Sequence, residues 1–348
     1  MRSVCGRAIC AGVELPASDD EESPPSGFVH RSVVAILEPM NRLFRDVGGP
    51  CLAPGGSVVC IGAFDGMHLG HRAVLSRITE RARVTNLAAV AVSFEPLPRE
   101  FFAHARKVPR LSGTGEKVGQ FVEAAVDRLL LPRFNAALAA MPAREFVERV
   151  LVARLNAKEV WVGEGFRFGH ARGGDVALLT QLGQEFGFSA NALGPVVLEG
   201  ERISSSAIRE ALAGGSFALA ARWLGRPFAI GGHVIRGQQL GRKLGYPTAN
   251  LRLGRRTSPV DGIFAVRVHG VRAQAMPAVA SLGVRPTVNG KEPLLEAHLF
   301  DFDGDLYGKR IEVEFVEKLR DEEKFADLDA MVKQIDADAA QARAILGC

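Results

Sequence analysis

A chain of 348 residues, 47 % of them hydrophobic, is long enough for two domains, each with its own core. Its formal charge of +4, with no run of lysine and arginine, argues against a nucleic-acid surface, and no apolar stretch is long enough to span a membrane. The five cysteines show neither metal-ligand nor disulfide-framework spacing, and no basic region followed by an apolar core opens the chain, so it reads as soluble and cytoplasmic.

Residues 1–41 read as an extension, because the acidic, proline-bearing run from Asp19 to Gly27 has nothing to pack and is expected to be disordered. Over 42–226 strands alternate with helices. Strands are predicted at Val58–Ile61, Ala88–Phe94, Arg128–Pro132, Glu159–Val162 and Ala192–Leu198. Helices are predicted at Arg72–Arg83, Lys117–Ala125, Ala143–Leu155, Val176–Phe186, Ser205–Ala213 and Phe217–Leu224. That order implies an α/β domain with a parallel sheet and ligands at the strand C-terminal ends. After Gly225-Arg226-Pro227 the texture changes to short alternating segments at Phe228–Ile235, Ile263–Val268, Ala278–Val284, Leu294–Asp301 and Ile311–Val316. Residues 227–348 therefore read as an antiparallel β-barrel, closed by a helix near Leu328–Leu346.

Two motifs carry chemistry in the first domain. Gly62-Ala63-Phe64-Asp65-Gly66-Met67-His68-Leu69-Gly70-His71 falls where an apolar strand turns into a helix. A helix N-terminus offers free N–H groups and a positive dipole end, glycines admit a close approach, and imidazoles add hydrogen bonds to phosphate oxygens. A metal pair would want third and fourth ligands at readable spacing, and none is visible. The second motif, Ile203-Ser204-Ser205-Ser206-Ala207-Ile208-Arg209, opens a helix with three hydroxyls and places a guanidinium one turn in. Serines there serve as caps or, with the arginine fork, as donors to a triphosphate.

Together these motifs resemble the nucleotidyltransferase superfamily that pairs a His-x-Gly-His loop with Ile-Ser-Ser-Thr-x-x-Arg. In the barrel, Gly241-Arg242-Lys243-Leu244-Gly245-Tyr246-Pro247-Thr248-Ala249-Asn250 resembles the riboflavin kinase signature, and Ser281–Thr287, Leu295–Leu299, Asp301–Lys309 and Lys318–Glu322 continue the likeness. From about Leu43 onward the chain resembles the bacterial bifunctional riboflavin kinase/FAD synthetases. The resemblance implies a Rossmann-like nucleotidyltransferase domain and a riboflavin kinase barrel. The small-molecule substrates are riboflavin, FMN and ATP, the cation is Mg²⁺, and neither nucleic acid nor membrane is a partner. Thr248 and Asn250 are then the metal ligands, Glu296 the base for the ribityl hydroxyl, and Gly241, Lys243, Gly245 and Arg320 bind nucleotide or flavin. For adenylyl transfer, His68, His71 and Arg209 are the expected catalytic groups, supporting the leaving pyrophosphate with Ser205. Gly62, Phe64, Asp65, Gly70, Asn135, Phe166, Arg167 and Ser206 complete the expected site.

The chain departs from the family pattern in three places, all in the first domain. Leu97 replaces a histidine in Phe-Glu-Pro-His-Pro, Gly165 replaces an Asn or Asp before Phe166, and Arg110–Lys117 drifts from its usual form. The alternative they raise is a monofunctional riboflavin kinase whose first domain binds nucleotide or flavin without turnover.

Overall fold

A computed structural model describes residues 42–103, 108–237, 241, 244–254, 256–287 and 290–348; the extension expected over 1–41, and Lys243, lie outside them. The chain divides into two compact units. The first takes in the described residues up to Ala63 together with Leu69–Glu95 and Phe121–Ile203; the second comprises Phe64–His68, Pro96–Gln120 and Ser204–Cys348.

The first unit is built on a parallel sheet of β1 (Leu43–Phe44), β2 (Ser57–Ile61), β3 (Ala88–Val92), β4 (Arg128–Leu130), β5 (Ala157–Gly163) and β6 (Ser189–Leu193), in the order β1-β4-β3-β2-β5-β6. The central strands are apolar on both faces, as strands covered by helices must be: every residue of Ser-Val-Val-Cys-Ile in β2 is buried. Burial pushes the Cys60 thiol far above its ordinary range, which keeps it a protonated core residue. Helix α1 (Leu69–Thr85) buries Leu75, Ile78 and Ala82, and it begins three residues before the predicted start, so His71 falls in its first turn. The helix predicted over Ala143–Leu155 is α5 (Ala143–Phe146) running into a π-helical stretch, Val147–Arg154. There the buried Arg154 donates from Nε to the Asp46 carbonyl at 3.3 Å and also binds the Pro50 carbonyl. Helices α4 (Ala136–Ala140) and α6 (Val176–Phe186) complete this unit.

One strand was misplaced by the sequence pattern. Instead of one strand over Ala192–Leu198, the chain forms β6 and then a separate hairpin of β7 (Val197–Leu198) and β8 (Glu201–Arg202). Gly194-Pro195 interrupts the run, since proline cannot donate to a ladder. Glu199 (φ 52°) and Gly200 (φ 80°) then make the tight turn.

In the second unit β9 (Ala229–Ile235), β10 (Ala249–Arg252), β11 (Gly262–His269), β12 (Met276–Thr287), β13 (Gly290–Leu299) and β14 (Arg310–Arg320) close an antiparallel barrel in the order β10-β13-β12-β11-β14-β9. Alternation sets the interior: Ile311, Val313 and Phe315 of β14 are buried while their neighbours are not. Helices α7 (Ser205–Ala213) and α8 (Phe217–Leu224) belong here, and Phe217 of α8 stacks on Phe315 and meets Phe264 edge-on. The terminal helix α9 (Leu328–Leu346) buries Ala342 with Ala339 and Ile345 against Ala265 and Val279. The segment Pro96–Gln120, with α2 (Pro98–Phe102) and most of α3 (Thr114–Glu123), is tied to the barrel by hydrogen bonds: Arg110 N–H to the Thr257 carbonyl at 2.9 Å and Gly231 N–H to Glu116 Oε1 at 2.9 Å.

Candidate active sites

The first candidate centre is a loop of strained backbone. Phe64 (φ 48°), Gly66 (φ 85°) and Met67 (φ 44°) all occupy the left-handed region, which costs each non-glycine residue on the order of 1–3 kcal/mol. Glycine is required at 66 for a second reason, because a Cβ there would stand 2.8 Å from the side chain of Leu111. Asp65, fully buried, holds the loop. Its Oδ2 pairs with Arg99 Nη2 at 2.7 Å and with Arg209 Nη2, and its Oδ1 accepts the N–H groups of Leu111 (3.1 Å) and Ser112 (3.2 Å). Ser205 Oγ donates to the Asp65 carbonyl at 3.0 Å, and Gly66 N–H donates to Ser112 Oγ at 3.1 Å. A buried carboxylate persists as the anion only with partners of this kind.

Arg209 is therefore drawn into the scaffold. Its Nε donates to the Pro109 carbonyl at 2.6 Å and its Nη1 to the Ser205 carbonyl at 2.8 Å, while Nη2 faces Asp65 and the side chain is 11 % exposed. The drifted segment at Arg110 keeps a firm anchor of its own, with Arg110 Nη2 on Glu100 Oε2 at 2.6 Å. Of the three serines, Ser204 is the cap, accepting Ala207 N–H at 3.1 Å, and Ser206 is exposed. Burial pushes the His68 imidazole down to about 4 against the pull of Asp65, so His68 is a neutral hydrogen-bonding group at physiological pH, where the sequence pattern suggests cationic support.

The remaining expectations for adenylyl transfer fall in the first unit. Gly62 follows β2 and donates its N–H to the Val92 carbonyl at 3.0 Å, and Gly70 and His71 lie in the first turn of α1. Asn135 caps α4, accepting Leu138 N–H at 2.9 Å. Phe166 stacks on Phe168 with ring centres 5.4 Å apart, and the exposed Arg167 pairs with Asp175 at 3.1 Å. Gly165 is exposed, and a Cβ there would meet nothing within 4 Å.

The second candidate centre lies on the barrel. Asn250 of β10 is directly opposite Glu296 of β13, and opposed residues of an antiparallel ladder share a face. Asn250 is 5 % exposed, and its Nδ2 donates to the carbonyl and the Oγ1 of Thr248, each at 3.2 Å. Its Oδ1 is buried and has no partner among the described residues. Gly237 faces it, and a Cβ at that position would fall 2.7 Å from the oxygen. An orphaned buried acceptor costs about 1–3 kcal/mol, and a carbonyl-type oxygen beside a hydroxyl in a small cradle is the donor set a hard divalent cation takes. Gly241 is needed because a Cβ would collide with the Tyr246 carbonyl, and Gly245 (φ 87°) turns the loop.

Three contacts brace that loop, and none was readable beforehand. His298 Nδ1 lies 2.9 Å from the Pro247 carbonyl, the Tyr246 ring meets His298 edge-on, and the Tyr246 hydroxyl donates to Asp336 of α9. Beside the loop opens a cleft of about 490 Å³ whose lining includes Val234, Pro247, Thr248, Phe302, Asp303 and Tyr307, within the size range of nucleotide-type ligand sites. Arg320 is committed elsewhere: its Nε and Nη2 reach Asp338 of α9 at 2.9 and 2.7 Å.

A parallel α/β sheet followed in the same chain by a closed antiparallel barrel, with a strained loop bearing His68 and a buried unpaired Asn250 oxygen, fits a two-domain nucleotide-using transferase. The family model for FAD synthetase matches residues 52–207, and that for riboflavin kinase matches residues 224–346. The chain is 44 % identical over 307 residues to a bifunctional riboflavin kinase/FMN adenylyltransferase of Escherichia coli strain K12, covering 88 % of this chain and 98 % of that relative. A relative of the same description from Pseudomonas fluorescens is 46 % identical over 83 % of this chain and 93 % of its own. Among solved structures, one described as a macrolide-efflux protein from Streptococcus pneumoniae matches with a TM-score of 0.68 at 33 % identity, covering 86 % of this chain and 96 % of that one. Among the described residues no helix is long and apolar enough to cross a membrane. The chain belongs to the family of bifunctional riboflavin kinase/FMN adenylyltransferases.

Proposed function

We infer that this chain phosphorylates riboflavin with ATP to FMN, and adenylylates FMN with a second ATP to FAD and pyrophosphate. The observation that carries the reading is that both domain families occur in order on one chain, whose relatives are matched over nearly their whole length and are described by both activities. We assign adenylyl transfer to residues 42–226 and kinase activity to residues 227–348. The monofunctional alternative has little behind it. Leu97 is a buried residue at the start of α2 whose N–H is taken by Glu100 Oε2 at 3.0 Å, and neither it nor Gly165 removes a member of the Asp65 network.

In the kinase reaction Glu296 takes the proton of the ribityl hydroxyl as that oxygen attacks the γ-phosphorus. The cleft beside Thr248 seats ATP, and the glycines at 241 and 245 shape the loop over it. Thr248 Oγ1 and Asn250 Oδ1 would hold Mg²⁺, which when bound would neutralise phosphate charge. In adenylyl transfer an FMN phosphate oxygen attacks the α-phosphorus, so no proton need be removed from the nucleophile. The protein's work there is orientation and charge neutralisation. His68, as a neutral imidazole, hydrogen-bonds phosphate oxygens and His71 adds a second imidazole, while the Ser205 hydroxyl, donating to the Asp65 carbonyl, holds the loop.

Chromatographic separation of flavins tests both assignments, using purified protein with ATP and Mg²⁺ and either riboflavin or FMN. FMN followed by FAD in the first tube, and FAD in the second, is the expected result. FMN accumulating without FAD in either tube would reduce the activity to the kinase alone, and no product at all would overturn the enzymatic reading.

A further inference from the structure

The sequence pattern points to Arg209 as the guanidinium for the triphosphate, yet that side chain is bound on all three nitrogens by the protein, and a neighbouring arginine outside the motifs is not. Arg209 and Arg99 share one carboxylate, Asp65, so two cations are balanced by a single anion. The cluster keeps a surplus positive charge in a poorly solvated place. Nearby Arg110 does not add to it, being matched by Glu100. The two arginines differ in what they have left to offer. All three nitrogens of Arg209 bind protein groups, two of them backbone carbonyls, and its side chain is 11 % exposed. Arg99 makes one ion pair from Nη2, its side chain is 35 % exposed, and its Nε is buried with no partner among the described residues. Burial pulls the Arg99 guanidinium below its ordinary range, partly opposed by Asp65 and Glu100.

We propose that Arg99 is the guanidinium that binds the β- and γ-phosphates of ATP and the pyrophosphate they become, while Arg209 is a positioning residue that holds Asp65 and the strained loop. The inference rests on the adenylyl-transfer reading. In that step a bond forms between an FMN phosphate oxygen and the α-phosphorus, and the bond from the α-phosphorus to the bridging oxygen breaks. That oxygen keeps the electron pair and leaves on pyrophosphate. A diphosphate anion at Arg99 completes the charge balance that Asp65 supplies only once, and the guanidinium N–H groups that Asp65 does not engage are the donors left for phosphate oxygens.

The test uses the full chain and inorganic pyrophosphate as the probe. Pyrophosphate binding is measured directly by calorimetry, and the KM for pyrophosphate is measured in the reverse reaction, FAD plus pyrophosphate to FMN plus ATP. Arg99→Gln is expected to raise both the pyrophosphate Kd and the ATP KM of FAD synthesis at least tenfold, with the FMN KM and the ligand-free melting temperature near wild type. Arg99→Lys restores part of the loss. Arg209→Lys is expected to lower the melting temperature and the kcat of FAD synthesis while leaving the pyrophosphate Kd within a few-fold. Unchanged pyrophosphate affinity in Arg99→Gln overturns the proposal, as does a wild-type protein that does not bind pyrophosphate. Loss of affinity accompanied by a matching fall in melting temperature and in kinase rate also overturns it, by making Arg99 structural. If wild-type protein yields no FAD yet loses pyrophosphate binding only through Arg99, the phosphate assignment stands and the adenylyl-transfer reading falls.

Discussion

The loop around Asp65 and the cradle around Asn250 meet the same problem, polar groups in a poorly solvated place, with opposite solutions. At Asp65 every carboxylate oxygen is paired inside the protein, and the backbone strain of Phe64 and Met67 is held by those pairs. At Asn250 the side chain is fixed through its donor, and the acceptor oxygen has no partner among the described residues. The first arrangement is a scaffold whose ligand contacts come from its margins. The second presents a buried oxygen with no partner among the described residues, the one we propose for the cation. Burial and polarity by themselves therefore do not identify a ligand-binding group; the unpaired atom does.

The comparison can be broken or sharpened by substitution. The largest effect is expected on the barrel face: Glu296→Gln should lower riboflavin phosphorylation by about 10²–10⁴, while FAD formation from supplied FMN persists, both read from initial rates. Next, Asp65→Ala strands the largely buried Arg209 cation and unpairs the half-exposed Arg99, and should cost about 3 kcal/mol of stability, measured by urea unfolding. Asn250→Ala should show the reverse profile, with a midpoint near wild type because an orphaned oxygen is removed, but a kinase rate down by about 10²–10³ at saturating ATP and Mg²⁺. If Asn250→Ala unfolds as readily as Asp65→Ala, the contrast between scaffold and coordination position is wrong.

Smaller effects follow. His68 titrates near 4 in the folded protein against 6.5 for a free imidazole, so between those values the unfolded chain binds more protons than the folded one. Its contribution to stability is complete above pH 6.5 and is lost as the pH falls toward 4. An NMR titration of its ring resonances should give a midpoint well below 6; a midpoint near 6.5 would mean a solvated imidazole and a more open loop. Gly165→Asp should leave the melting temperature unchanged, because a side chain there meets nothing, and should raise the rate of FAD formation by a few-fold at most. No gain would show that the missing carboxylate has no role in this chain.

Local signals determined much of this protein in advance. The apolar runs of β2 and β3, the period of α6, α7 and α9, and the glycine-bearing turns of the barrel are each read from residues a few positions apart, so the order of elements was legible in the sequence. The same holds for the two motifs and for Thr248 with Asn250, whose separation of two residues keeps them together where the loop enters β10. Failures arose where a backbone constraint outweighed periodicity, as Gly194-Pro195 split a predicted strand, and at β10, where no strand was predicted.

What only the tertiary structure decided is which partner each charged group has. Asp65 meets Arg99 from 34 residues away and Arg209 from 144, and Arg320 meets Asp338 of α9 rather than open space. No periodicity or motif spacing encodes such pairs, because a guanidinium is drawn to any carboxylate within reach and chain folding alone sets which one that is. The residue types, then, were fixed by the sequence, and their division into scaffold and ligand contact by long-range packing.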